Sequence, residues 1–541
     1  MNKAFLVILS CVCLVIYAGY LNNEFIFDDK TLVVDNPLIK SSRLLPNVFK
    51  TGIYDHWSGI QPYDRMYRPL QMLSYYLDYN LWGLKPLGFR LSNILLHLFN
   101  SILVFYLIGL LFKHKLLAAS AAILFLVHPV QISSVAYISA RGDLLNAFFV
   151  LGCCVLFLKF LENKNYWLYF LSILASILAL LSRENALFIV VSLSLISVVK
   201  GKVRFKYLSG FLVVTLVYPI IRFIIFGPSG LNTHTDYIRG ALALANFLNI
   251  VWGYLLLLFW PVNLHMFHST VFIKQLSVPI LFLSITGLIL AVAIILKWEK
   301  AKQLSPAASF GIFWFLSGII PVYFYFDAYP ALGKALMAES WLYLASIGFC
   351  TGLAYLCLLH KKGKLFILSF VLIFGSMVVA NRVYWRNDVV FYKRTLKFLP
   401  EDSILLRNLA SAYIESGDLS NGLEAIKKLE RYYADTPVAD MAYGQYYLAA
   451  GNPGEALKYY QRILKRNFFS NYSVSLCYAK LGNFDQAIGY SLESFNQNPF
   501  FQRNIIQLAR LYERVGKKDQ ANRYLLLAGQ LDPRGKYNLL K

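Results

Sequence analysis

Residues 144–161 read LLNAFFVLGCCVLFLKFL. A run of that length carrying one charge, Lys159, is what a helix needs to cross a bilayer. Outward from it, comparable apolar runs lie near 4–20, 91–112, 116–136, 166–182, 185–199, 207–226, 243–261, 278–296, 308–326, 341–359 and 365–382. The whole chain of 541 residues agrees: it is 58% hydrophobic and only 15% charged. Soluble globular proteins carry about a quarter charged residues. The reading is an all-α, polytopic membrane protein.

The net charge is +23, but the basic residues gather in short loops between apolar runs. That pattern sets topology. It does not build a basic face interleaved with stacking aromatics, so nucleic acid is excluded as a partner. Six of the seven cysteines lie inside apolar runs and read as small buried hydrophobes, neither a disulfide framework nor a metal site. The run at 4–20 follows Lys3 without a clean small-residue cleavage site and reads as a retained anchor.

Basic clusters face the cytoplasm. They are Lys113/His114/Lys115, Lys164, Lys200/Lys202/Arg204/Lys206, Lys297/Lys300/Lys302 and His360/Lys361/Lys362/Lys364. They stay on one side if 243–261, with Trp252, Tyr254 and Trp260, does not cross but lies in the interface or re-enters. About eleven crossings then remain, with the C-terminus outside. Asp28, Asp29, Arg68, Arg141, Asp143, Arg183, Glu184, Asp236, Arg239, His265, His268, Asp327 and Glu339 all fall on the outer face. Ionisable groups beside spans are costly there and are functional candidates.

After about Trp385 the apolar runs stop and a repeat begins. Its anchors are Tyr413/Gly417, Tyr447/Gly451, Tyr478/Gly482 and Tyr512/Gly516, with glycines 34, 31 and 34 residues apart. Ala456, Ala487 and Ala521 stand five residues after the last three glycines, and Gly422 after the first. This is the tetratricopeptide period, in which a small residue lets two helices close and a glycine ends the first. The domain division is 1–385, a membrane domain with an outer loop at 21–90, and 386–541, an α-solenoid of about four repeats. Its groove suits a peptide or protein partner.

The outer segments carry Phe25-Ile26-Phe27-Asp28-Asp29, Asn36-Pro37 and Tyr67-Arg68-Pro69-Leu70. Asn93 and His97 follow inside the second run, then His128-Pro129-Val130-Gln131, Arg141-Gly142-Asp143, Ser182-Arg183-Glu184-Asn185 and Ala338-Glu339-Ser340. In this order the segments resemble the transmembrane and tetratricopeptide-repeat O-mannosyltransferases and their bacterial relatives, within the C-type (GT-C) glycosyltransferase fold. The resemblance implies transfer of a sugar, mannose in the named family, from a polyprenyl-phosphate carrier to a protein hydroxyl on the non-cytoplasmic face. It implies a loop-one acid at the acceptor and basic residues on the lipid phosphate. Two departures stand out: Ser133 and Ser340 occupy positions where such relatives carry Glu and Arg.

The residue types fit that chemistry in their own right. Inverting transfer needs a base at the acceptor hydroxyl, and Asp28, supported by Asp29, is the candidate. The leaving lipid phosphate needs cations. Arg68, Arg141 and Arg183 are candidates, with Glu184, His128 and Glu339 completing the donor side. Each has a structural alternative: a cap or solvated loop start for the Asp pair, salt bridges to Asp143 or Glu184 for the arginines, a structural role for His128. No cofactor is expected beyond the lipid-linked sugar as co-substrate, and His265/His268 read as hydrogen-bonding residues before metal ligands. The expected partners are membrane lipid, the lipid-linked donor and a protein acceptor held by the repeats. A bacterial inner membrane with the active face in the periplasm is the expected location. A membrane-anchored scaffold without catalysis, and a polymerase or transporter, are the competing readings; one span would suffice for the first, and midplane charges would mark the last.

Overall fold

The computed structural model describes residues 3–56, 66–201, 205–227, 241–271, 306–323, 328–329 and 334–535. By contacts the chain divides into two units: Met1–Asn22 with Leu87–Val383, and Asn23–Pro86 with Tyr384–Lys541. Residues 23–86, expected to go with the membrane body, therefore group with the repeats.

The first unit is a bundle of apolar helices. Among the described residues, five helical stretches have the length and composition of a span: Lys3–Tyr20, Pro86–Phe112, Ile138–Asn163, Lys206–Phe226 and Gly363–Trp385. Tyr166–Ser182, Glu184–Val199, Ala245–Phe259, Pro306–Ile320 and Ser346–Leu359 are shorter apolar helices. The expected run at 278–296 lies outside the described residues, as do Asp236, Arg239 and Asp327. Leu212, Val213, Leu216, Ile220 and Ile224 of the Phe205–Phe226 helix stay exposed, a continuous apolar face suited to lipid. Helices Pro306–Tyr323 and Ser346–Leu359 meet through glycines: a Cβ on Gly348 would collide with the Gly311 carbonyl and lie 2.7 Å from Phe315 N. Small residues let helices in lipid approach backbone to backbone.

The run read as 116–136 is not one helix. Lys115–Val127 and Pro129–Val135 are bent by 52° at His128. Pro129 has no N–H to continue the ladder, and the His128 ring caps the next turn instead. A small antiparallel sheet, not foreseen in an all-α reading, pairs Phe267–Val271 with Lys334–Ala338, and that strand with Ala328–Tyr329.

In the second unit, four helix pairs follow the helix Asp388–Leu396: Ser403–Glu415/Leu419–Tyr433, Pro437–Ala449/Pro453–Arg462, Phe468–Lys480/Phe484–Gln497 and Gln502–Arg514/Lys518–Leu531. The Tyr-to-Gly spacing has a clear geometric cause. Gly417, Gly451, Gly482 and Gly516 have φ of +82°, +80°, +81° and +77°. The residue after each donates its N–H to the carbonyl of the tyrosine five back, at 2.8–3.0 Å. That is the Schellman stop, which needs a left-handed residue. A Cβ there costs about 1–2 kcal/mol. We expect Gly482→Ala to destabilise the array by that amount in a denaturant melt, since nothing lies within 4 Å to complicate the change.

The 23–86 segment is fastened along the array. Glu24 N donates to Arg386 O at 2.9 Å, Arg503 reaches Asp35 at 3.3 Å, and buried Lys40 pairs with Asp532 at 3.5 Å. Tyr79 donates to the other oxygen of Asp532 at 2.7 Å, and Arg534 to Asn80 O at 2.7 Å. Leu44 packs on the cluster of Ile505, Ile506, Ala528 and Leu531.

His56 belongs to this fastening. Its Nε2 lies 2.8 Å from Thr31 O, and its own carbonyl accepts from Asn498 Nδ2 at 3.1 Å. Burial pushes its pKa down from 6.5 to about 4. A buried neutral histidine stabilises the fold fully above the unfolded value, and that stability drains away as pH falls from 6.5 toward 4. At 1.36 kcal/mol per unit the loss reaches about 3 kcal/mol. Amide exchange of residues 23–56 is expected to quicken over that window, and His56→Gln to flatten the dependence.

Candidate functional site

The predicted site residues fall into both units. Asp28, Asp29 and Arg68 belong to the unit of the repeats; His128, Arg141, Arg183, Glu184 and Glu339 belong to the helical membrane unit.

Among the described residues of the membrane unit, short 3-10 turns interrupt the helices at Pro129–Gln131, Ile138–Ala140, Glu184–Phe188 and Glu339–Leu342, besides others. The turn at 339–342 packs on the first of them and on the short helix Ile132–Val135. Residues 128–141 are buried throughout. Irregular backbone among apolar helices is tolerated where protein or a water-filled cavity surrounds it, which makes this cluster a candidate site.

Two polar groups occupy this region. Arg183, in extended backbone between the helix Tyr166–Ser182 and the turn Glu184–Phe188, pairs with Asp143 on the first turn of Arg141–Asn163. The two side chains are 9% and 5% exposed, and Glu184 beside them is buried. The second group centres on Glu339. Its Oε1 accepts from His265 N at 2.8 Å and faces His268 Nε2 at 2.7 Å, while the two histidine ring centroids lie 3.9 Å apart with the planes tilted by 45°. Tyr254 is buried nearby, and its hydroxyl donates to Ala338 O, next to Glu339, at 3.2 Å.

Arg141 and His128 do different work. Arg141 is buried, with Nε on Asn93 Oδ1 and Nη2 donating to Phe89 O at 2.7 Å. Asn93 in turn donates to Val135 O and Tyr137 O, and Arg90 Nε to Ala136 O. Arg141 thus staples the interrupted segment to the helix Pro86–Phe112. His128 Nδ1 accepts from Val130 N at 3.2 Å, and Nε2 meets Leu258 O at 3.0 Å. Both nitrogens meet backbone groups in this structure. Ser133, at the departure from the resembled pattern, is buried and donates to Val130 O at 3.3 Å.

In the other unit the acidic pair divides its labour. Asp29 is buried; its Oδ2 accepts from Ile26 N at 3.2 Å, closing the turn that leads into residues 30–34. Asp28 is part-exposed and accepts from Tyr54 Oη at 3.0 Å. Burial, and then the Asp28 carboxylate, hold the Tyr54 hydroxyl well above its ordinary pKa, so it stays a donor. Arg68 is buried, just before the helix Pro69–Trp82.

Sequence reading missed Tyr54, an aromatic residue without a local motif, and the helix-start Asp388, and it read Tyr254 as interfacial where the structure buries it. Among the described residues no group of three or more His, Cys, Asp or Glu side chains is placed to hold a metal ion.

Against known proteins, the tetratricopeptide-repeat family model matches residues 407–471 and 444–495. The Caenorhabditis elegans protein named protein O-mannosyl-transferase F38B6.6 is 25% identical over 81% of this chain and 63% of its own length. The Drosophila melanogaster protein O-mannosyl-transferase Tmtc1 is 30% identical over 33% of this chain and 21% of its own. Human protein O-mannosyl-transferase TMTC4 is 30% identical over 33% and 27%. The chain therefore spans less than two thirds of the curated relatives it matches. The chain is thus a relative of the proteins named protein O-mannosyl-transferases, a helical membrane protein that carries a tetratricopeptide-repeat array.

Proposed function

We propose that the chain is a membrane glycosyltransferase that moves a sugar, mannose by the names of its relatives, from a polyprenyl-phosphate carrier to a protein hydroxyl on the non-cytoplasmic face. The observation that carries the reading is the meeting of interrupted helices around buried ionisable groups: Asp143 with Arg183, Glu184, and Glu339, which faces the half-buried His268. Apolar spans meant only to anchor a repeat array have no need of such groups.

In the proposed reaction Asp28 takes the proton of the acceptor hydroxyl. The acceptor oxygen bonds to the anomeric carbon as the bond from that carbon to the phosphate oxygen breaks, with inversion. The electron pair leaves on the lipid phosphate, and Arg183 and Arg68 are the proposed cations that receive it. Asp143 orients Arg183 and Glu339 orients the His268 imidazole, with Glu184 on the same donor side. Asp29 holds the turn that presents Asp28. Arg141 and His128 keep the framework. The proposed setting is a bacterial inner membrane, with GT-C chemistry needing no cofactor beyond the lipid-linked sugar. The repeats are the proposed contact for the protein acceptor.

Mass spectrometry of non-cytoplasmic proteins with and without the gene tests this. Hexose on serine or threonine that disappears with the gene is the expected result; identical profiles overturn the reading.

A further inference from the structure

We infer that Asp388 is a positioning residue that sets the direction of Asp28. It stands at the start of the helix Asp388–Leu396, in the same unit as the acidic loop, and is buried. Its carboxylate brackets the acidic pair. Oδ1 accepts from Phe27 N, the residue before Asp28, at 2.8 Å; Oδ2 receives Lys30 Nζ, the residue after Asp29, at 2.6 Å. Glu415 shares the lysine at 3.0 Å. Burial pulls the Lys30 pKa down, but Asp388 and then Glu415 outweigh it and leave it raised, so the ammonium stays charged.

A second observation points to the same spot. Phe27 has φ of +49°. A bulky residue in the left-handed region is uncommon, and such strain persists where the surroundings over-determine it. Here they do. The Phe27 N–H is held by Asp388, and its ring packs on Phe391 and Tyr392 of the same helix, each at 6.1 Å between centroids. The left-handed residue turns the chain immediately before Asp28. A relaxed Phe27 would rotate the carboxylate away from its present direction. Asp29, whose Oδ2 is committed to Ile26 N, supplies the other side of the same turn. The helix that precedes the repeats is therefore the mount of the proposed general base. The role rests on the function proposed above.

The test pairs kinetics with a measurement that does not depend on catalysis. Asp388→Ala removes both contacts; Asp388→Asn keeps an acceptor for Phe27 N and loses the charge. We expect Asp388→Ala to lower kcat by about 10²-fold with KM for the lipid donor and the acceptor within about twofold. Asp388→Asn should recover at least about tenfold of that loss. Amide exchange at residues 26–34 should rise in Asp388→Ala while exchange in Ser403–Leu531 stays unchanged. If exchange at 26–34 does not rise, the clamp is refuted whatever the activity. If it rises and kcat holds, the positioning role is refuted. A parent chain without transferase activity sinks the proposed function instead, and the exchange experiment still decides the clamp.

Discussion

Asp28→Asn is expected to lower transfer by about 10²–10⁴-fold, the usual contribution of a positioned general base. The substitution is isosteric, and the amide oxygen can still accept from Tyr54 Oη, so the local turn survives. Unchanged thermal stability beside lost turnover is the expected pair of results. Asp29→Asn is the control: the new side chain can still accept from Ile26 N, and turnover should fall by no more than about tenfold. Equal losses at the two positions would mean that the pair acts as a structural turn, and retained turnover in Asp28→Asn would remove the base.

Arg183→Met should strongly destabilise the membrane unit. Its partner Asp143 is 5% exposed, and breaking a buried ion pair from one side is strongly destabilising. The cost is about 3–5 kcal/mol. Arg183→Met combined with Asp143→Leu removes both charges and should recover most of that stability, because a buried pair contributes little over an apolar replacement. Unfolding of the four proteins in one detergent closes the cycle. If Arg183 also receives the lipid phosphate, the double variant will be stable and inactive. A stable double variant with full turnover would confine Arg183 to a structural role.

Much of this architecture was legible in the chain. The apolar runs announced the helices, because length and polarity alone qualify a segment for lipid. The repeats were legible through Tyr478 and Gly482 and their counterparts, since one hydrogen bond from Asn483 N to Tyr478 O enforces that spacing. The assignment of residues 23–86 to the repeats was not legible. It rests on pairs such as Lys40 with Asp532 and Phe27 with Asp388, hundreds of residues apart and without a local signature. The bend at His128 could have been read from Pro129, but the apolar run on either side outweighed it. Arg141 shows the limit of residue type as a guide. An arginine at the end of a span suits a phosphate and suits Asn93 and the Phe89 carbonyl equally well, and only the fold distinguishes them.

The most direct measurement is transfer by the purified chain in liposomes. It is supplied either with polyprenyl-phosphate-linked mannose or with a nucleotide-linked mannose, together with an acceptor polypeptide, and the product is read by intact-mass spectrometry. Hexose on the acceptor from the lipid-linked donor alone, abolished by Asp28→Asn, is the expected result. Hexose arising from the nucleotide sugar, or undiminished in Asp28→Asn, would contradict it.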